Sequence, residues 1–127
     1  MNNKICILID DDEDDQLIFQ TVLNMHFSNY QLEVFSNFES AKPYLSDHAQ
    51  EIGPIFIDLN MPKANGIDCL NYLRSFSTFN VTPIIIYSTS KNPDDVRKSM
   101  DQGATAFISK PSRIEELVST LSNWLKN

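Results

Sequence analysis

Two kinds of segment alternate along the chain. Ile5-Cys6-Ile7-Leu8-Ile9 is an unbroken apolar run rich in β-branched residues, the pattern of a strand buried on both faces. From Asp14 to Phe27, apolar residues recur at helical spacing, with Ile18, Val22 and Met25 leading the stripe and Phe19, Leu23 and Phe27 widening it. Acids in its first turn suit the helix dipole. Gln31 to Phe35 alternates polar and apolar, as a half-exposed strand at a sheet edge does. Asn37 to Leu45 reads as a weaker helix, interrupted or ended near Pro43. A second buried strand, Ile55 to Asp58, precedes a helix carrying Ile67, Cys69, Leu70, Leu73 and Phe76.

Pro83 opens the next strand, Ile84 to Tyr87. Asn92-Pro93-Asp94-Asp95 then supplies a cap, a first-turn proline and two dipole-matched acids. The helix it starts has a thin apolar face, little beyond Val96 and Met100, and Gly103 ends it. Thr105 to Ile108 is the fifth strand. Ser112 and Glu115 have the spacing of a capping box, and the last helix shows Ile114, Leu117, Val118, Leu121, Trp124 and Leu125 on one face.

Five strands alternating with five helices predict an α/β protein with a parallel sheet covered on both faces. Right-handed crossovers and a length of 127 residues favour a doubly wound sheet, since a barrel needs about twice the chain. The pattern is that of one domain over residues 1–127, and no output domain is expected. No apolar run approaches the ~20 residues that cross a bilayer. The first run is too short for a signal-peptide core and leads into acids, so a cytoplasmic protein is expected. Cys6 and Cys69 lie in apolar settings and read as reduced, buried residues.

In a parallel sheet the carboxyl ends of the strands point the same way, so residues there become neighbours. The first strand delivers Asp10 and Asp11, the third Asp58, the fourth Ser88 and the fifth Lys110. One ammonium cannot balance three carboxylates, and clustered carboxylates repel. The missing charge suggests a divalent cation, and an all-oxygen donor set selects a hard ion such as Mg²⁺ over zinc. The overall charge adds little to this. The formal net charge is −7, and without the six consecutive acids Asp10 to Asp15 it would be −1. The acidity is local, and there is no basic stripe for nucleic acid or an anionic membrane.

These residues also carry a resemblance. Ile9 to Asp12 (IDDD), Ile57 to Pro62 (IDLNMP), Ser88 and Lys110-Pro111 stand in the order, and at the strand ends, of the response regulator receiver family. The chain resembles a stand-alone, chemotaxis-type receiver along essentially its whole length. The resemblance implies a flavodoxin-like sheet of strand order 2-1-3-4-5. It implies that Asp58 accepts a phosphoryl group from a histidine kinase or phosphotransfer protein. Mg²⁺ (or Mn²⁺) would be held by Asp11, Asp58 and the backbone carbonyl of Asn60, with Asp10 acting largely through water. Lys110 would pair with one phosphoryl oxygen and Ser88 would hydrogen-bond another.

Ser88 and Phe107 are the implied switch pair, repacking the face of the fourth helix, fifth strand and fifth helix for a downstream protein target. That face is also a candidate surface for a weak homodimer. Phe107 replaces the tyrosine of the best-known chemotaxis receivers, so a step needing a phenol hydroxyl is absent. Asn60 and Ser90 sit where the family tunes dephosphorylation. Asn65-Gly66 replaces a frequent Asp-Gly and reads as an equivalent turn. The domain would catalyse only its own phosphorylation and dephosphorylation, and is not expected to be a metabolic enzyme.

Three other readings meet obstacles. Haloacid-dehalogenase-like phosphatases also phosphorylate a strand-end Asp, but want a second Asp where this chain has Asn60. A flavodoxin-like cofactor carrier needs a phosphate-cradling loop where this chain has six acids. A pseudo-receiver, binding partners without phosphate, would have no need of the intact Asp58, Asp11, Ser88 and Lys110 set.

Overall fold

The computed structural model describes residues 4–63 and 65–126, and in it the five segments with strand patterns become five strands. They are β1 (Ile5–Ile9), β2 (Gln31–Phe35), β3 (Ile52–Ile57), β4 (Ile84–Ser88) and β5 (Ala106–Ser109). The helices are α1 (Glu13–His26), α2 (Phe38–Asp47), α3 (Gly66–Arg74), α4 (Pro93–Asp101) and α5 (Ile114–Leu121), with a 3-10 turn at Ser77–Phe79. The sheet is parallel, in order β2-β1-β3-β4-β5. This is the expected doubly wound α/β arrangement.

Strand alternation sorts the core into two layers. Ile5, Ile7, Ile9, Ile55, Ile57, Ile84 and Ile86 face α2 and α3, meeting Leu45, Leu70 and Leu73. Cys6, Leu8, Phe56, Ile85, Tyr87 and Ile108 face the other way, against Phe19, Val22 and Leu23 of α1 and Leu117 and Leu121 of α5. Phe19, Phe56 and Tyr87 meet edge to face in this second layer, with ring centroids 5.1, 5.7 and 6.4 Å apart. Both cysteines are free and buried, one in each layer.

Several local expectations change. On α1 the buried residues are Phe19, Val22 and Leu23, while Ile18 is 42% and Met25 72% exposed. The helix is apolar around more than half its circumference, so two phases competed, and packing chose the one with aromatic Phe19 inward. α2 runs through Pro43 without ending. Pro43 is exposed, so the carbonyl it deprives of a donor can face water. β3 begins three residues early, at Ile52, and includes Pro54. The β1–β3 register shifts between Ile5 and Ile7, an irregularity that accommodates a proline within a central strand.

The capping box at Ser112 does not form. α5 starts at Ile114 after Arg113, whose side chain makes no capping bond, so Ser112 lies one residue too far upstream. Ile114 is 52% exposed, and Phe76 lies beyond the end of α3 and is 45% exposed. Trp124 is half-buried against the α1–α5 layer. On α4 the thin apolar face is thinner than expected: Met100 is exposed and Ser99 is the buried residue.

Candidate functional site

Each strand-end residue is pinned by a backbone bond that continues the ladder past the strand. Asp10 N–H donates to the Phe35 carbonyl at 3.0 Å, Asp58 N–H to Ile9 at 2.9 Å and Lys110 N–H to Ser88 at 2.7 Å. The side chains therefore leave the sheet from fixed points on one edge. Asp10, Asp11 and Asp58 each offer a carboxylate oxygen, all within 4.8 Å of one another. Asp10 and Asp58 are buried and Asp11 is exposed. An open cleft lined in part by Asp11, Ser36, Phe38, Met61 and Lys63 flanks them.

Lys110 enters this cluster from β5 with a side chain only 8% exposed. Its Nζ lies 2.7 Å from Asp15 Oδ2, 2.9 Å from Asp10 Oδ2 and 3.7 Å from Asp58 Oδ2. Burial alone would lower its pKa, but hydrogen bonding to Asp15 and the charges of Asp10 and Asp58 overcome that and raise it. Lys110 is thus firmly an ammonium. The ring of Tyr87 lies beneath it, 5.3 Å from Nζ to centroid.

The carboxylates are less comfortable. Burial pushes the Asp58 carboxyl up to about 6, opposed by Lys110 and reinforced by Asp10. Its Oδ1 accepts only a long bond, 3.3 Å, from Asn60 N–H. Asp10 is also raised by burial, against the Asp12 N–H that donates to Oδ1 at 3.0 Å. Its buried Oδ2 makes no hydrogen bond, so the 2.9 Å approach to Lys110 is an ion pair outside hydrogen-bonding geometry. A buried, under-satisfied carboxylate oxygen beside two further carboxylates, with oxygen donors alone, fits a hard divalent cation.

Ser88 is fully buried at the end of β4, and its Oγ accepts from Ser90 N–H at 3.1 Å. Ser90 Oγ in turn donates to Asp95 Oδ2 at 2.6 Å, in the first turn of α4. Phe107, on β5, is half-buried against the α2–α3 layer. Asn60 is exposed beside Asp58.

Two residues of the site were read differently from the sequence. Asp15 was assigned to the helix dipole; it is the nearest partner of Lys110. No local pattern could have hinted at this, because the partner lies ninety-five positions away in sequence. Gly66 was read as a turn residue, yet it opens α3 after Asn65, whose side chain caps by accepting from Asp68 N–H at 3.0 Å. A Cβ at Gly66 would lie 2.7 Å from the carbonyl oxygen of Asp58 and 3.0 Å from Leu59 Cα. Glycine is needed here for close approach to the backbone that carries Asp58.

A strand-order 2-1-3-4-5 sheet with an acidic triad and a lysine at its carboxyl edge defines a receiver-type fold and site. The model of the response regulator receiver domain matches residues 6–122, and the chain belongs to that family. Among curated relatives, the sensory/regulatory protein RpfC of Xanthomonas campestris pv. campestris is 26% identical over 119 residues, covering 92% of this chain. The chain spans 16% of that protein's length. Among solved structures, the phosphorylated cyanobacterial phytochrome response regulator RcpA aligns with TM-score 0.84 at 25% identity, covering 95% of this chain and 93% of its own. The Mn²⁺-bound form of response regulator Rcp1 aligns with TM-score 0.82 at 23% identity, covering 98% and 96%. That last likeness speaks to the fold. No helix among the described residues is long and apolar enough to cross a membrane.

Proposed function

We propose that this domain accepts a phosphoryl group on Asp58 from a sensor histidine kinase or a phosphotransfer protein, and passes the change to a protein target. The observation that carries the reading is the convergence of Asp10, Asp11 and Asp58 within 4.8 Å, with the Lys110 ammonium 3.7 Å from Asp58 Oδ2. A carboxylate oxygen of Asp58 attacks phosphorus, the phosphorus–nitrogen bond of the donor phosphohistidine breaks, and its electron pair returns to the imidazole, which takes up a proton. The chain contributes position and charge, as phosphoryl transfer requires. Lys110 holds one phosphoryl oxygen and the Ser88 hydroxyl another.

Asp10, Asp11, Asp58 and the backbone carbonyl of Asn60 would hold Mg²⁺ or Mn²⁺. When bound, the cation offsets the negative charge gathered on the phosphoryl oxygens. Turning Ser88 toward the phosphoryl group takes its oxygen from Ser90 N–H, and Ser90 is bonded to α4. Loop and helix therefore follow the hydroxyl, and Phe107 repacks beside them. The α4–β5–α5 face is the surface a target would read, or a second copy in a weak homodimer. The domain acts in the cytoplasm as a signalling switch and turns over no metabolite.

The test is direct. Incubated with Mg²⁺ and acetyl phosphate, the protein gains the mass of one phosphoryl group, and Asp58→Ala or chelation of the cation abolishes the gain. An intact protein that gains no mass, and binds no beryllofluoride, would instead be a phosphorylation-independent interaction module.

A further inference from the structure

The sequence holds six acids in a row, and the mechanism above uses two of them. Asp12 caps α1, its Oδ1 accepting from Asp15 N–H at 3.0 Å. Glu13 and Asp14 are exposed in the first turn, where they complement the helix dipole. Asp15 differs from both. Its side chain is 30% exposed and turns inward, and Oδ2 accepts a 2.7 Å hydrogen bond from Lys110, ninety-five positions away in sequence.

We propose that Asp15 is a positioning residue for Lys110: it holds the ammonium toward α1 in the phosphate-free state and must yield it when a phosphoryl group occupies Asp58. The inference rests on Asp58 being the acceptor. The geometry supplies the competition. Nζ is hydrogen-bonded to Asp15 at 2.7 Å and stands 3.7 Å from Asp58 Oδ2, the longest of its three carboxylate contacts. To meet an oxygen of a phosphoryl group on Asp58, the ammonium must share or leave its bond to Asp15. The backbone of Lys110 cannot follow, because its N–H is tied to the Ser88 carbonyl at 2.7 Å. The adjustment therefore falls on the lysine side chain.

Asp15 also adds a negative charge to an edge that must admit an anion. Both effects oppose phosphoryl binding, so removing the charge strengthens it. Asp15 sets how strongly the resting site resists being phosphorylated, and keeps Lys110 ordered until then.

The experiment titrates beryllofluoride into wild-type, Asp15→Asn and Asp15→Glu protein at saturating Mg²⁺, read by ¹⁹F NMR, with the Lys110 ammonium resonance followed in parallel. Saturating cation removes any effect of the lost charge on metal affinity. Asp15→Asn is expected to bind roughly 3- to 10-fold more tightly, the range a partly buried ion pair controls. Its Lys110 resonance before titration moves toward the bound wild-type position. Asp15→Glu, which restores the charge, returns affinity toward wild type. A merely structural contact between α1 and β5 predicts unchanged or weaker binding by Asp15→Asn, and that result, with wild-type binding intact, overturns the proposal while leaving Asp58 as acceptor. If the wild type itself binds no beryllofluoride, both fall.

Discussion

Arg74 and Lys110 each gather the loops at one end of the sheet, and they do so with opposite kinds of partner. Arg74, at the end of α3, reaches the amino edge. Its Nε donates to the Gly103 carbonyl at 2.9 Å, Nη1 to the carbonyls of Phe79 and Thr82, and Nη2 to Thr105 Oγ1 at 3.2 Å. Every partner is neutral and points its oxygen at the guanidinium. Lys110, at the carboxyl edge, meets three carboxylates, one of which has a buried oxygen with no hydrogen bond. The amino edge is satisfied as it stands. The carboxyl edge carries more negative charge than its cation can balance, which is the condition of a site awaiting something positive.

The largest effect should come from the satisfied edge. Arg74→Met leaves the Phe79 and Thr82 carbonyls without their charged donor and unties the α4–β5 turn, where Gly103 sits at a φ of 103° against the arginine stem. Charged hydrogen bonds are worth about 1.5–3 kcal/mol each but are not additive, so a loss of about 2–4 kcal/mol is expected in urea unfolding. Cation affinity of the folded protein should not change. A large loss of Mg²⁺ binding in this variant would break the comparison, because the two edges would then be coupled.

Next in size is a gain at the other edge. Folding raises the Asp58 carboxyl from 3.8 to about 6, chiefly by burial. The folded protein holds that proton more tightly than the unfolded chain. Its favourable contribution is therefore complete below about pH 4 and is lost as pH rises through about 6. In metal-free protein, Asp58→Asn should be nearly neutral at pH 4 and stabilising by about 1–3 kcal/mol above pH 7, measured by thermal or denaturant unfolding. Added Mg²⁺ should stabilise the wild type and not the variant. A variant less stable than wild type at pH 7.5 without metal would show that the acidic edge is already balanced.

Much of this contrast was legible in the sequence, and its unread parts share a cause. Strand runs such as Ile84 to Tyr87 and the carboxylates after them reveal a parallel sheet and its functional edge, because both follow from local pattern and one topological rule. Arg74 gave no signal. It stands at the end of a helix with no local mark of its role, and its partners come from two separate connections, α3–β4 and α4–β5. The same holds for Asp15, whose partner lies ninety-five positions away. The phase of α1 was ambiguous because Leu17, Ile18, Phe19, Val22, Leu23 and Met25 cover too wide an arc for spacing alone to select a face. Boundaries failed where a single residue decides them, as at Ser112 and Pro43.

Gly66 offers a smaller test that joins α3 to the reacting edge. An alanine Cβ would meet backbone, the Asp58 carbonyl oxygen at 2.7 Å, and backbone cannot swing aside as a side chain can. Gly66→Ala should cost about 1–3 kcal/mol of stability through overpacking. It should also weaken beryllofluoride binding by the fraction still folded, since the strain is delivered to Asp58 itself. Stability lost with unchanged affinity would mean the helix start moves and the acceptor does not.

The smallest effect should appear in α4, and it separates a resting link from packing. Ser90 Oγ donates to Asp95 Oδ2 at 2.6 Å and accepts from Asn92 N–H at 3.2 Å, while Ser90 N–H reaches the Ser88 hydroxyl. α4 buries little besides Ser99, so this polar chain is a large share of what fixes its first turn. Ser90→Ala removes the two Oγ bonds and keeps the backbone one. Global stability should fall by about 1 kcal/mol or less. Amide exchange in the first turn of α4 should rise several-fold more than exchange in α1 or β3, because a thinly packed helix opens locally before the core does. If protection falls evenly across the chain, α4 is held by the sheet and not by Ser90. The hydroxyl of Ser88 would then have no lever on the helix, and any movement of the α4 face would have to come through Phe107.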